Sequence, residues 1–213
     1  MMNRIDSARQ KVASPLARSF YDRDPEIVAQ TLLGKRVVRE LDGERLSGRV
    51  VEVEAYFGLE DPAAHAFNGR TARNAVLFGP PGFSYVYFIY GMYYCLNVSC
   101  EPDGKAGCIL IRALEPLEGL STMARLRKLP PNPKPRLLTS GPGRLCQALD
   151  INRATHNGLD VTSPSSCLRI EDDDYSVEKI LVTPRIGIRH AAERPARFTI
   201  AGNRFVSAAP SGR

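Results

Sequence analysis

The stretch "VEVEAYFGLEDPAAH", residues 51–65, sets two strand carboxylates, a phenol and an imidazole close together in the chain. Read as a strand, its first half turns Val51, Val53 and Ala55 to one side and Glu52, Glu54 and Tyr56 to the other. Two readings stand for the acids: a solvated strand face, or a carboxylate set to act as general base toward water. Glu54 has the stronger claim to chemistry, because it lies at the strand's end beside Tyr56 and the turn at Gly58. Arg112 is the complementary oddity, embedded in "CILIRALEP" among Ile109, Leu110, Ile111 and Leu114. Either it reaches solvent from an edge strand, or it is buried and needs an acidic partner, for which Glu54 is a candidate. His65, in a loop, and Asn97, in "YYCLNVSC", do chemistry only if a pocket forms around them; otherwise they are an exposed histidine and an ordinary strand asparagine.

A second concentration lies in "FSYVYFIYGMYYCLNVSC", residues 83–100, where Tyr85, Tyr87, Tyr90, Tyr93 and Tyr94 crowd one predicted hairpin. A half-buried sheet of good strand formers accounts for them by propensity alone. Each buried phenol needs a partner, however, so tyrosine better suits a surface that stacks on planar rings and still meets water. Parity puts Tyr85 and Tyr87 on one face, with Tyr90 on the other beside Gly91 at the bend. One tyrosine can then line a pocket while another projects as a wedge that unstacks a base step.

Elements that could position these residues follow from the flanking pattern. "DPEIVAQTLLG" predicts a helix over 25–33, capped by Asp24, opened by Pro25 and stopped by Gly34. Strands are predicted at 36–41 and 46–56 around the turn "LDGE", and at 106–116. Residues 57–82 read as loop with one helical turn near 63–66, and "PPNPKP" as a proline-rich loop. "LEGLSTMARLRKL" reads as an amphipathic helix, and "SGPGRLCQALDI" starts another with Ser140 or Gly141 as cap. A strand near 167–171, the acidic run 171–174 and closing strands in "YSVEKILVTPRIGIRHA" and "RFTIAGNRFVS" complete the chain. The mix predicts an α+β fold: one mixed domain with a curved, mainly antiparallel sheet, surrounding helices and a protruding β-hairpin. Its expected limits are 19–207, after a flexible basic arm at 1–18 and before a tail at 208–213.

The 213 residues carry 29 Lys and Arg against 23 acids, a net charge of +6 that suits nucleic acid, an anionic membrane surface or small anions. Arginine dominates that surplus and favours planar contacts to phosphate. No apolar run is long enough to span a bilayer, and the N-terminus lacks a secretory apolar centre, so a cytoplasmic protein is expected. Five cysteines without a C-x-x-C pair argue against both a disulfide framework and a zinc ribbon, and no metal or cofactor is expected.

Beyond these generic patterns, "EAYFGLEDPAAHAF", "RTARN", "FSYVYFIYGMYYCLNVS", "ILIRALEPLEG", "SGPGRLCQAL" and "RIGIRHA" occur in order. Together they resemble the 3-methyladenine (alkyladenine) DNA glycosylase family shared by mammals and bacteria, from about residue 15 to 206. The resemblance implies a monofunctional, metal-free base-excision repair enzyme, a hydrolase of N-glycosidic bonds that works as a monomer on damaged double-stranded DNA. By motif position, Glu54 matches the catalytic acid, holding water with Arg112 and the backbone carbonyl of Ile186. Tyr56, His65 and Tyr87 match the residues that pack around the extruded base, and Asn97 the one that discriminates against the guanine amino group. Tyr90 matches the hairpin-tip wedge; Met92, Tyr93, Arg73 and Arg144 fall in stretches expected to touch DNA. Implied substrates are 3-methyladenine and 7-methylguanine, with hypoxanthine and ethenoadenine as further candidates. Two departures stand out: Ala72 in "RTARN" where relatives often have proline, and a short "HAAERPARF" segment. None of the six lysines falls in a pocket motif, so no lyase step is expected. Two rivals remain, a non-catalytic binder of distorted duplex and an RNA-directed hydrolase of the same fold.

Overall fold

A computed structural model describes residues 14–207. The expected arm up to residue 13 and the tail at 208–213 lie outside the described residues. The packed chain begins earlier than the expected boundary at 18: Pro15 bridges Glu171 and Leu16 is buried. After a single turn α1 (Arg18–Tyr21), the helix α2 (Pro25–Leu32) forms where the capping signals put it. The Asp24 carboxylate accepts from the Glu26 amide at 2.8 Å, Pro25 fills the first turn, and Gly34 leaves the helix at φ +85°.

The sheet is antiparallel throughout, in the order β3 (Ser84–Ile89), β4 (Tyr93–Cys100), β5 (Gly107–Glu118), β2 (Glu44–Phe57), β1 (Arg36–Leu41) and β6 (Leu168–Glu171). Two short strands, β7 (Ile180–Thr183) and β8 (Arg197–Ile200), pair with each other, and β8 also joins β2. The long strand β2 governs the architecture. One edge pairs with β5 along most of its length, while the other pairs first with β1, through Glu44 to Arg49, and then with β8, through Glu52 to Glu54. Its register with β5 slips between Val50 and Val53, and such bulges increase twist and bend a strand.

Helices α3 (Leu120–Leu126), α4 (Arg136–Thr139) and α5 (Pro142–Ala148) cover the sheet together with α2. Val51, Val53 and Ala55 join Leu32, Val98, Ile109, Ile111 and Leu145 in the main core. A smaller cluster of Ala66, Leu77, Tyr85, Ala106 and Cys108 lies under the loop before β3. Helical turns in residues 57–82 occur at Gly58–Glu60 and Ala75–Phe78, not at the expected 63–66, which form non-helical turns. The short helices α4 and α6 (Arg153–His156) were not expected; α6 is capped by the Asn152 side chain on the Thr155 amide.

Candidate active site

The site rests on one row of the sheet. Tyr85 on β3 is in register with Asn97 on β4, Asn97 with Leu110 on β5, and Leu110 with Glu54 on β2. Residues level with one another across a sheet share a face. All four therefore project on one side, where they border a cavity of about 550 Å³. Two residues along each strand, Tyr87, Cys95, Arg112 and Tyr56 join the same wall. The volume falls within the range of about 300–1,000 Å³ usual for small-molecule clefts.

Glu54 sits at the closed end, with no exposed surface. One carboxylate oxygen accepts from the Ile186 amide at 2.7 Å and faces the Arg112 guanidinium at 3.2 Å; the other accepts from the Tyr56 hydroxyl at 2.9 Å. Arg112 reaches further, donating through Nε to Glu52 at 2.9 Å. Glu52 is equally buried and also accepts from Arg197 Nε at 2.8 Å, the Ser207 amide at 2.6 Å and the Ser207 hydroxyl at 2.8 Å. The solvated-face reading of these acids is thus overturned, because β2 is flanked on both edges and Ser207 caps Glu52. The edge-strand reading of Arg112 fails likewise: β5 lies between β4 and β2, and the residue is buried.

Charge balance makes the burial tolerable. Burial alone would raise the Glu52 carboxyl, but the Arg112 charge, with hydrogen bonds from Arg197 and Ser207, holds it below the ordinary carboxylate value. Burial would likewise lower the Arg112 guanidinium, and the charges of Glu54 and Glu52 reverse the effect, keeping it protonated. The Tyr56 phenol is pushed up by burial and by the Glu54 carboxylate, so it stays a donor.

The aromatic wall is equally constrained. The His65 ring meets Tyr87 edge-on at 4.4 Å between centroids, and its Nδ1 lies 2.9 Å from the Tyr85 hydroxyl. Burial and then the Arg73 charge lower the His65 imidazole, which is therefore neutral at pH 7. The loop bearing it is pinned by Asn74, whose side-chain amide donates to the carbonyls of His65 and Gly69 at 2.9 and 3.0 Å. Asn97 is buried and donates to the Tyr85 carbonyl at 3.1 Å.

At the mouth, the β3–β4 hairpin turns through Tyr90 and Gly91, with φ +53° and +67°. The strand parity drawn for Tyr90 does not apply, since the residue lies in the turn itself, on neither face. Tyr90 is 74% exposed and Met92 61%, an apolar tip without cover. Tyr93, half-buried, packs so closely on the start of α5 that a Cβ at Gly143 would come within 2.8 Å of its ring. Arg144 and Arg73 are exposed, Arg144 on the cavity rim and Arg73 near enough to touch the Tyr85 hydroxyl electrostatically.

All the sequence-selected residues except Met92 and Arg73 border this one cavity, and those two flank it. Sequence reading missed Tyr85 and Cys95 as wall residues, although the parity shared by Tyr85 and Tyr87 was a usable signal. It also missed Asp61 and Arg185, a fully buried ion pair behind Tyr56; nothing in their spacing joins residues so far apart in the chain. Among the described residues, no group of three or more His, Cys, Asp or Glu is arranged to hold a metal ion, and no helix is long and apolar enough to cross a membrane.

A family model described as methylpurine-DNA glycosylase matches residues 19–204. The chain belongs to that family. A relative from Koribacter versatilis is 55% identical over 91% of this chain and 93% of its own length. Relatives from Alkaliphilus oremlandii and Methanocella arvoryzae are 46% and 51% identical, over 90% and 86% of this chain and 98% and 90% of theirs. All three are provisionally named 3-methyladenine DNA glycosylases. The match covers the whole sheet and every residue of the cavity wall.

Proposed function

We propose that this methylpurine-DNA glycosylase family member removes alkylated purines from duplex DNA by hydrolysing the N-glycosidic bond. One observation carries the reading: a carboxylate shut from bulk solvent ends a cavity walled by tyrosines, below an exposed aromatic hairpin tip. Bases inside a duplex are out of reach, so the target nucleotide must be flipped, at a cost of a few kcal/mol that damage reduces. Tyr90 enters the minor groove and fills the gap. Tyr56, His65 and Tyr87 enclose the extruded base, and Asn97 faces its edge. Arg73, Met92, Tyr93 and Arg144 border the path of the strand, and the protein acts as a monomer.

An alkylated purine is cationic and electron-poor, suited to the electron-rich faces of phenols. It leaves with the electrons of the glycosidic bond, and the sugar becomes an oxocarbenium-like cation. Glu54 stabilises that charge and takes a proton from water, whose oxygen bonds to the sugar carbon. The Ile186 carbonyl and Arg112 hold that water. The products are a free base and an abasic site, with no metal or cofactor. Neutral His65 and the high-lying phenols offer hydrogen bonds but no strong acid, so the cationic bases 3-methyladenine and 7-methylguanine are expected to leave faster than hypoxanthine or ethenoadenine. The buried Glu54–Arg112 pair favours this reading over a non-catalytic binder, which gains nothing from an acid near DNA.

Incubation with methylated duplex should release free 3-methyladenine; failure to do so rejects the activity. Tyr90→Ala should weaken capture of a lesion in duplex by about tenfold and in a single strand far less; equal losses reject the wedge. Affinity for duplex should fall steeply with salt, since phosphate contacts release counterions.

A further inference from the structure

Behind Tyr56, on the side away from the cavity, lies a second ion pair. Arg185 and Asp61 are both completely buried as side chains. They meet through two parallel contacts, Nη1 to one carboxylate oxygen and Nη2 to the other at 2.9 Å. The Arg185 guanidinium lies over the Tyr56 ring, 4.6 Å from its centroid, and donates to the Ala55 carbonyl at 3.0 Å. Asp61 also accepts from the amides of Phe57 and Ala63 at 3.2 and 3.1 Å. The pair thus clamps the end of β2, the loop leading to His65 and the loop carrying Ile186. Arg185 borders no part of the cavity; it touches what enters only through the ring it backs.

A cation on one face of an aromatic ring lowers the ring's attraction for a second cation on the other. Lying just beyond the ring, with little water between, an uncompensated guanidinium would repel a positively charged guest. Asp61 cancels that repulsion by pairing with both Nη atoms of Arg185. We infer that the Arg185–Asp61 pair is a specificity-determining element: it keeps the backing of Tyr56 electrically neutral and so sets the preference of the cavity for cationic over neutral bases. The inference rests on the base-binding function proposed above.

Charge-altering variants separate this role from mere support. Asp61→Asn leaves a bare positive charge behind the ring and keeps one of the two oxygens that the Phe57 and Ala63 amides meet separately. Arg185→Gln leaves a bare negative charge and keeps a donor for Ala55. Binding is measured on duplexes holding either cationic 7-methylguanine or neutral hypoxanthine, on 2′-fluoro sugars that resist cleavage by destabilising the sugar cation. Asp61→Asn should shift the ratio of affinities by about tenfold toward hypoxanthine, and Arg185→Gln should shift it toward 7-methylguanine. The double variant, charge-free, should return the ratio near the wild-type value even if both affinities drop. A structural role moves both ratios the same way or not at all, and either outcome overturns the inference. If Asp61→Asn does not fold, the direction of the Arg185→Gln shift decides the matter alone. Wild-type release of 3-methyladenine from methylated duplex is scored alongside: its absence refutes the proposed activity, whereas unchanged ratios refute the charge-balancing role.

Discussion

The two ends of β2 carry similar ions in opposite surroundings. At the first end, Arg45 meets Glu171 at 2.6 Å and Glu118 at 3.2 Å, and Arg49 meets Asp173 at 2.8 Å. These are partly solvated contacts, with Arg45 35% and Glu118 42% exposed. Most of the acidic run 171–174 is engaged there, Asp172 with Lys35 and Asp173 with Arg49. At the far end, Glu52, Glu54, Arg112 and Arg197 show side-chain exposures between 0 and 11%. Water reaches Arg45, Glu118 and Asp173 at the first end, although Glu171, at 2%, and Arg49, at 11%, are covered there too. At the far end it does not reach Glu52, which is met by four protein donors, three on one oxygen and one on the other. The same ionic vocabulary fastens a strand edge in one place and fixes a buried carboxylate at the cavity in the other.

The sharpest way to break this contrast is Glu54→Gln. It should lower excision by about 10³-fold or more, within the span of general-base effects, while binding to an abasic-site analogue persists; single-turnover release of base measures the first and a fluorescence titration the second. Near-normal turnover would remove the chemical distinction between the two ends. Next comes Glu52→Ala, which strands Arg197 without its acid and leaves Arg112 with Glu54 alone. A loss of about 3–5 kcal/mol in unfolding free energy is expected, since breaking a buried pair on one side strands the remaining charge, and urea unfolding measures it.

Acid titration sharpens the same point. The Glu52 carboxyl is lower in the folded chain than its ordinary 4.5. Its contribution is therefore complete above that value and disappears as pH falls through the folded one. Urea midpoints followed downward from about pH 6 should decline in the wild type and decline less steeply in Glu52→Gln. The smallest effect is reserved for the first end: Asp173→Ala should cost about 1 kcal/mol, because Asp173 is 21% exposed and its pair with Arg49 is partly solvated, with excision unchanged. A loss comparable to that of Glu52→Ala would erase the difference in solvation.

Local chemistry explains which features could be read in advance. Asp24, Pro25 and Gly34 bound α2 through capping and backbone preferences, so the helix ended within one residue of its expected stop. The Asp-Gly turn and the Tyr90-Gly91 bend are fixed by residues that tolerate positive φ, and both hairpins formed there. Burial of Glu52 escaped the sequence because it depends on β8 and Ser207, which arrive from the other end of the chain. Strand alternation marks two faces but not what covers each. The helical turn expected at 63–66 failed for a related reason: Asp61 and Asn74 bind the backbone of that loop through their side chains, which holds it in non-helical turns. The cavity residues were recognisable mainly through family motifs; spacing alone left His65 and Asn97 undecided.

The fastening of Ser207 onto Glu52 bears on how the protein is handled. Those two contacts reach across 155 positions of sequence to a carboxylate one hydrogen bond away from Arg112. Clipping by a protease just upstream of that serine, or a deletion designed to trim the end, would remove two donors from the inner acid without touching the cavity wall or the hairpin tip. A preparation that has lost Ser207 should thus be expected to hold Glu52 and Arg112 less firmly, however intact its hairpin and tyrosines.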